Sequence, residues 1–172
     1  SDGNDGGTYT RSFYIGVENV EEGGSIPSSI EMVTVEGGTF TMGDSRDIGD
    51  GDEKPTHTVT LSSYKIGKYE MTNKEVADIL QWAYDNGKIY ATAATVRNGN
   101  SGGKDLLRLN NQITDIRFDG SNFTVWGLDN YPCIEITWYG AAAISNYLSE
   151  KEGRETCYDL SDWSCDFSKN GY

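Results

Sequence analysis

Three cysteines, one histidine and a run of carboxylates are the side chains with most chemistry to offer in this 172-residue sequence. Cys157 and Cys165 stand eight residues apart in a polar, aromatic segment. That is close enough to bridge across a short loop in an oxidising compartment, and two free thiols is the other reading. Cys133 lies in the apolar run Tyr131-Pro132-Cys133-Ile134 and reads as a small buried hydrophobe. His57 falls on an alternating strand pattern, where an imidazole caps a loop or hydrogen-bonds a neighbour; neither a second histidine nor a nucleophile motif accompanies it. Asp44, Asp47, Asp50, Asp52 and Glu53 would attract a hard cation, but their spacing is not that of a loop whose alternate oxygens converge. They read as a solvated charged loop. Asp2, Asn4 and Asp5 match no calcium loop either, and phosphate-loop and zinc spacings are absent.

These side chains must be held by elements that the pattern outlines. Met32–Val35 and Thr39–Met42 read as two strands around a turn at Glu36-Gly37-Gly38. His57–Leu61 alternates with period two, and Tyr64–Glu70 resumes the strand pattern. Thr72 and Glu75 form a capping box, after which Val76, Ile79, Leu80 and Ala83 recur at helical spacing until Asn86-Gly87. Residues 88–110 give no clear pattern, and Asn98–Gly103 reads as a flexible loop. Ile113–Phe118 and Phe123–Trp126 flank Asp119-Gly120-Ser121-Asn122, a strong hairpin signal. A second helix is expected from Thr137 or Trp138 through Leu148, with Gly153 as its stop. Residues 1–29 read as a tether with one short strand, Phe13–Val17, and residues 30–172 as the domain.

A formal charge of −13 repels phosphate backbones and anionic lipid, which argues against nucleic acid and bilayer surfaces as partners. No apolar run reaches the roughly 20 residues of a spanning helix. No signal peptide is visible, although one could have been removed before Ser1, and a lipid-anchored precursor fits the glycine-rich start. Hydrophobic residues are only 36%, but 4 Trp and 11 Tyr supply large side chains from which a core can be built.

Four stretches in order resemble the formylglycine-generating-enzyme, or sulfatase-modifying-factor, domain family. They are Met32–Gly43, Glu53–Leu61, Tyr64–Asn73 and Tyr131–Ala142. The resemblance implies an α+β, C-type-lectin-like fold that is loop-rich, with antiparallel hairpins and two helices, here incomplete at the C-terminus. It implies that Cys133 packs where the family usually has Val; Trp138 and Tyr139 read, on their own chemistry, as core. The family's copper-binding cysteine pair and calcium ligands would lie beyond Tyr172, so copper and calcium are expected only if such a part follows. Cys157 and Cys165 do not match the catalytic positions. The expected function is a non-catalytic, extracytoplasmic binding or assembly module, with a protein partner or a separate chain completing the fold. The alternative is a fragment of a copper-dependent oxidase that converts a sulfatase cysteine to formylglycine.

Overall fold

The computed structural model describes residues 18–19, 30–109 and 113–172. The expected strand at Phe13–Val17 and the carboxylates at Asp2 and Asp5 lie outside the described residues. Ten short strands and two helices make up an α+β, loop-rich architecture of small antiparallel sheets. In chain order the strands are β1 (Glu18–Asn19), β2 (Met32–Val35), β3 (Gly38–Met42), β4 (His57–Leu61), β5 (Tyr64–Gly67), β6 (Ile89–Ala91), β7 (Thr95–Asn98), β8 (Asp105–Arg108), β9 (Ile116–Phe118) and β10 (Phe123–Val125). Helix α1 (Asn73–Asp85) follows β5, and α2 (Trp138–Lys151) follows β10.

Helix α1 forms where its cap dictates. The Thr72 side chain accepts from the Glu75 amide, and the Glu75 carboxylate accepts from the Thr72 amide at 2.8 Å, so two orphan donors are satisfied reciprocally. It ends at Asn86, and Gly87 takes the left-handed conformation (φ 66°) that a glycine accepts without strain. Its buried face is Val76, Ile79, Leu80 and Ala83, as the spacing requires. The β9–β10 hairpin lies on this helix, with the Phe123 amide donating to Gln81 Oε1 at 2.7 Å. Tyr84, Phe118 and Phe123 join the two in an aromatic cluster, the Tyr84–Phe118 centroids 4.9 Å apart at 68°.

Thr137 caps α2 by accepting from the Gly140 amide at 2.9 Å, and its own hydroxyl donates to the Asp105 carbonyl at 2.6 Å. A Cβ on Gly140 would stand 2.1 Å from the Leu106 carbonyl oxygen, so only glycine lets α2 approach β8 this closely. The unclear stretch 88–110 holds the three-stranded meander β6-β7-β8. A register shift at Val96/Arg97 breaks its alternation. In β8 two consecutive residues, Leu106 and Leu107, are both buried, which erases period two from the sequence. At the far end Tyr172 is buried; its amide donates to Ser149 Oγ at 2.9 Å and its hydroxyl to Glu152 at 2.7 Å.

The expected turn at Glu36-Gly37-Gly38 is not a turn. β2 pairs with β5 and β3 with β4, both antiparallel, and the pairing runs from Met32↔Gly67 to Met42↔His57 without a slip. Residues 32–42 and 57–67 are thus one long ribbon, closed by the loop between Met42 and His57. Gly37 marks a crossing point rather than a reversal: its amide donates to Ser63 Oγ at 2.9 Å, and a Cβ there would meet the Ser63 amide nitrogen at 2.7 Å. The β5 half of the ribbon also takes β1 on its outer edge, with Glu18 opposite Lys65.

Candidate functional site

The segment from Trp126 to Trp138 crosses the N-terminal end of α1 as a strap, and the hydrogen bonds that pin it are backbone-directed. The Asn73 amide donates to the Tyr131 carbonyl at 2.9 Å, the Lys74 amide to Asp129 at 3.0 Å, and the Cys133 amide to Met71 at 2.8 Å. The buried Asn73 side chain donates to the Leu128 carbonyl at 2.9 Å. These bonds consume donors that the first turn of a helix would otherwise leave without partners. With its backbone tied inward, the strap turns large side chains outward: Trp126 is 73% exposed, Tyr131 60% and Trp138 59%. Tyr69, 64% exposed, joins Ile30, Glu70, Asn130 and Pro132 around an open groove beside it. Arg117 lies over the Trp126 ring at 5.6 Å.

At the strap's end Trp138 departs from expectation, because it is not core. As the first residue of α2 it precedes the stretch Ala142 to Ser149, which is buried all round the helix. Its ring instead meets Tyr139, Tyr158 and Trp163 edge-on, with centroids at 5.5, 6.2 and 6.4 Å. Tyr139 is half-buried and packs on Trp163 at 4.7 Å, with Lys104 over its ring at 4.9 Å. Trp163 and Glu135 hold positive φ values of 66° and 64°, conformations that cost non-glycine residues about 1–3 kcal/mol.

All three cysteines are free thiols. Of the two readings of Cys157 and Cys165, this structure holds the free thiols: Tyr158 pairs with Cys165 and the Asp166 amide donates to the Cys157 carbonyl, which offsets the two cysteines by one residue along the hairpin. Burial pushes both thiols up, and it pushes Cys133 to about 12. A copper(I) site needs two facing thiolates. Cys157 and Cys165 are instead offset by one residue along a small hairpin.

The acidic loop is organised by its own backbone. Asp44 accepts from the Gly49 and Arg46 amides at 2.8 and 2.9 Å, and the Gly49 amide foremost holds its carboxyl below the usual range. Lys54 pairs with Asp47. His57 is exposed opposite Met42 at the loop's base. Among the described residues no three His, Cys, Asp or Glu side chains gather as a metal-holding group. None of the described helices is long and apolar enough to cross a membrane. The strap and Asn73 were not singled out as functional in the sequence, although the Thr72-Asn73 and Tyr131–Trp138 stretches that build them lie inside two of the motifs quoted above.

A family model described as the sulfatase-modifying factor enzyme 1-like domain matches residues 20–163. Among curated proteins the chain is similar to the serine/threonine-protein kinase pkn1 of Chlamydia caviae, 27% identical over 144 residues, covering 83% of this chain and 21% of that protein. It is equally similar to pkn1 of Chlamydia pneumoniae, 27% identical over 150 residues, covering 87% of this chain and 22% of that protein. The Pkn1 of Chlamydia trachomatis serovar L2 is 26% identical over 151 residues, with 87% and 22% covered. The chain therefore spans about a fifth of the length of the curated relatives it matches. No solved structure matches.

Proposed function

The chain belongs to the sulfatase-modifying factor enzyme 1-like domain family, and from that premise we propose that it is a non-catalytic, extracytoplasmic module that recognises a protein partner. The observation that carries this reading is the strap: Trp126, Tyr131 and Trp138 stand exposed on a segment whose backbone is tied to Asp115 at Trp126, to the first turn of α1 at Asp129 and Tyr131, and to Leu106 at Thr137, the cap of α2. Rigid aromatics give large contact area at low cost in conformational entropy, which is why Trp and Tyr dominate interface hot spots. The relatives supply a second support, since they are named as kinases and the matched stretch is about a fifth of their length.

The test is site-specific photocrosslinking from position 131 in the native envelope of the source cell. The expected result is one defined crosslinked protein, lost in the Trp126→Ser/Trp138→Ser variant while the melting curve is retained. Formation of an aldehyde on a peptide bearing Cys-x-Pro-x-Arg by the full-length protein would replace this reading with that of an oxidase. Protease accessibility of the domain in intact cells tests its placement.

A further inference from the structure

The distal half of the ribbon is two-faced. Pairing of Phe40 with Val59 and Met42 with His57, and of Gly38 with Leu61, puts Phe40, Met42, Val59 and Leu61 on one face, with His57 beside Met42 at its end. The alternate rows put Thr39, Thr41, Thr58 and Thr60 on the other, where Thr39 and Thr60 hydroxyls lie 2.9 Å apart. An alternation this regular marks a sheet with one buried face. Yet Phe40 is 47% exposed, Met42 53% and Leu61 44%, and no residue of β3 or β4 is buried.

The ribbon's outer edge is open as well. Among the described residues β2 and β3 have no strand on their outer side, so the edge runs from Met32 to Met42. Proteins blunt such edges with lysine, proline or bulges. This one carries neither lysine nor proline, and Glu36 is its single charge. The opposite edge shows that the ribbon accepts a third strand, because β1 pairs there with β5.

Charge decides between occupants. The loop that closes the ribbon holds Asp44, Asp47, Asp50, Asp52 and Glu53 against Arg46 and Lys54, and the whole chain carries −13. A second copy would carry the same −13 and be repelled as a whole, and an anionic bilayer would be repelled likewise. We propose that the outer edge of β3 and its apolar face receive an extended, basic, amphipathic strand of a partner protein. Its apolar side chains cover Phe40, Met42, Val59 and Leu61, and its cations meet the acidic loop. This surface is separate from the strap and does not depend on it.

Two synthetic peptides of roughly ten residues, the length of a long strand, test this by calorimetry on the full chain: one alternating Val and Lys, the other Val and Glu. The Lys peptide is expected to bind and the Glu peptide not to. Phe40→Thr/Leu61→Thr is expected to weaken the Lys peptide about 10-fold or more with an unchanged melting curve. Asp50→Asn/Asp52→Asn/Glu53→Gln is expected to weaken it and flatten its salt dependence. Tyr131→Ser, on the strap, should leave peptide binding unchanged, which separates this proposal from the one above. The proposal is overturned if neither peptide binds, if both bind equally, or if Phe40→Thr/Leu61→Thr has no effect on binding. It is overturned too if that double variant abolishes self-association in the ultracentrifuge or binding to anionic vesicles, which would assign the face to a second copy or a bilayer.

Discussion

Helix α1 and the β3–β4 ribbon are both amphipathic, and among the described residues only α1 finds cover. On α1, Val76, Ile79, Leu80 and Ala83 are at most 2% exposed, enclosed by α2, β6 and the β9–β10 hairpin. On the ribbon, Phe40, Met42 and Leu61 form as regular an apolar face and remain open. Periodicity states which side of an element avoids water. It does not state which neighbour excludes that water. The difference is therefore energetic as well as geometric: apolar area on α1 contributes to folding, whereas the same kind of area on the ribbon is still available to binding.

The comparison is broken most forcefully in the helical body. Leu80 is fully buried at the centre of the core, and Leu80→Ala removes its transfer energy and leaves a cavity, at a cost of about 2–5 kcal/mol. Urea melts should show the midpoint falling with the slope unchanged. A loss under about 1 kcal/mol would mean that the core is looser than its burial implies, and the contrast with the ribbon would shrink.

A second lever is alkaline pH. Burial raises the Cys133 thiol from 9.0 to about 12, so the folded chain holds a proton that the unfolded chain releases. Below pH 9 both states keep it and stability is unaffected. Between pH 9 and about 12 the unfolded state is favoured, and stability falls by up to about 1.4 kcal/mol per pH unit. Tyr147, raised by burial and donating to Asn98 at 2.8 Å, adds to the slope in the same direction. Cys133→Val should leave stability at pH 7 nearly unchanged and make the alkaline limb of the profile shallower. A variant whose limb matches the parent's would place Cys133 in contact with water.

Thr72→Ala comes next, removing one half of the capping box at the base of the strap. The expected loss is about 1 kcal/mol. Thr72→Ser should restore most of it, since the hydroxyl rather than the methyl accepts the Glu75 amide. A loss well beyond 2 kcal/mol would show that the strap depends on the cap more heavily than its own hydrogen bonds suggest.

What was legible in the sequence was what neighbouring residues decide among themselves. Thr72 with Glu75, Asn86 with Gly87 and the hairpin at Asp119–Asn122 are local arrangements, and each is found where its residues place it. The first helix and that hairpin followed from them, whereas the α+β class came from the family resemblance. Long-range pairing was less legible. Glu36-Gly37-Gly38 has a turn's composition but lies within a ribbon, because Ser62 and Ser63 far along the chain meet it. The β6–β8 meander was hidden by a bulge and by Leu106 and Leu107 being buried together. Of the candidate site, the motifs containing the strap were visible, whereas its outward aromatics were not. Trp138 reads as core until α2 is oriented by Gly140 against Leu106.

The smallest expected effect is the most informative about the ribbon. Phe40→Thr exchanges an aromatic that is 47% exposed for a residue already present on the ribbon's other face. Little buried area is lost, the β-branched replacement suits a strand, and the folded state loses no hydrogen bond. The change in unfolding free energy should therefore lie within about 0.5 kcal/mol of zero, against the several expected at Leu80. A cost of about 2 kcal/mol or more would mean that Phe40 is already covered within the chain, and that the ribbon resembles α1 after all. A value near zero leaves an aromatic face that the fold of the described residues does not use, which is the condition the proposed partner strand requires.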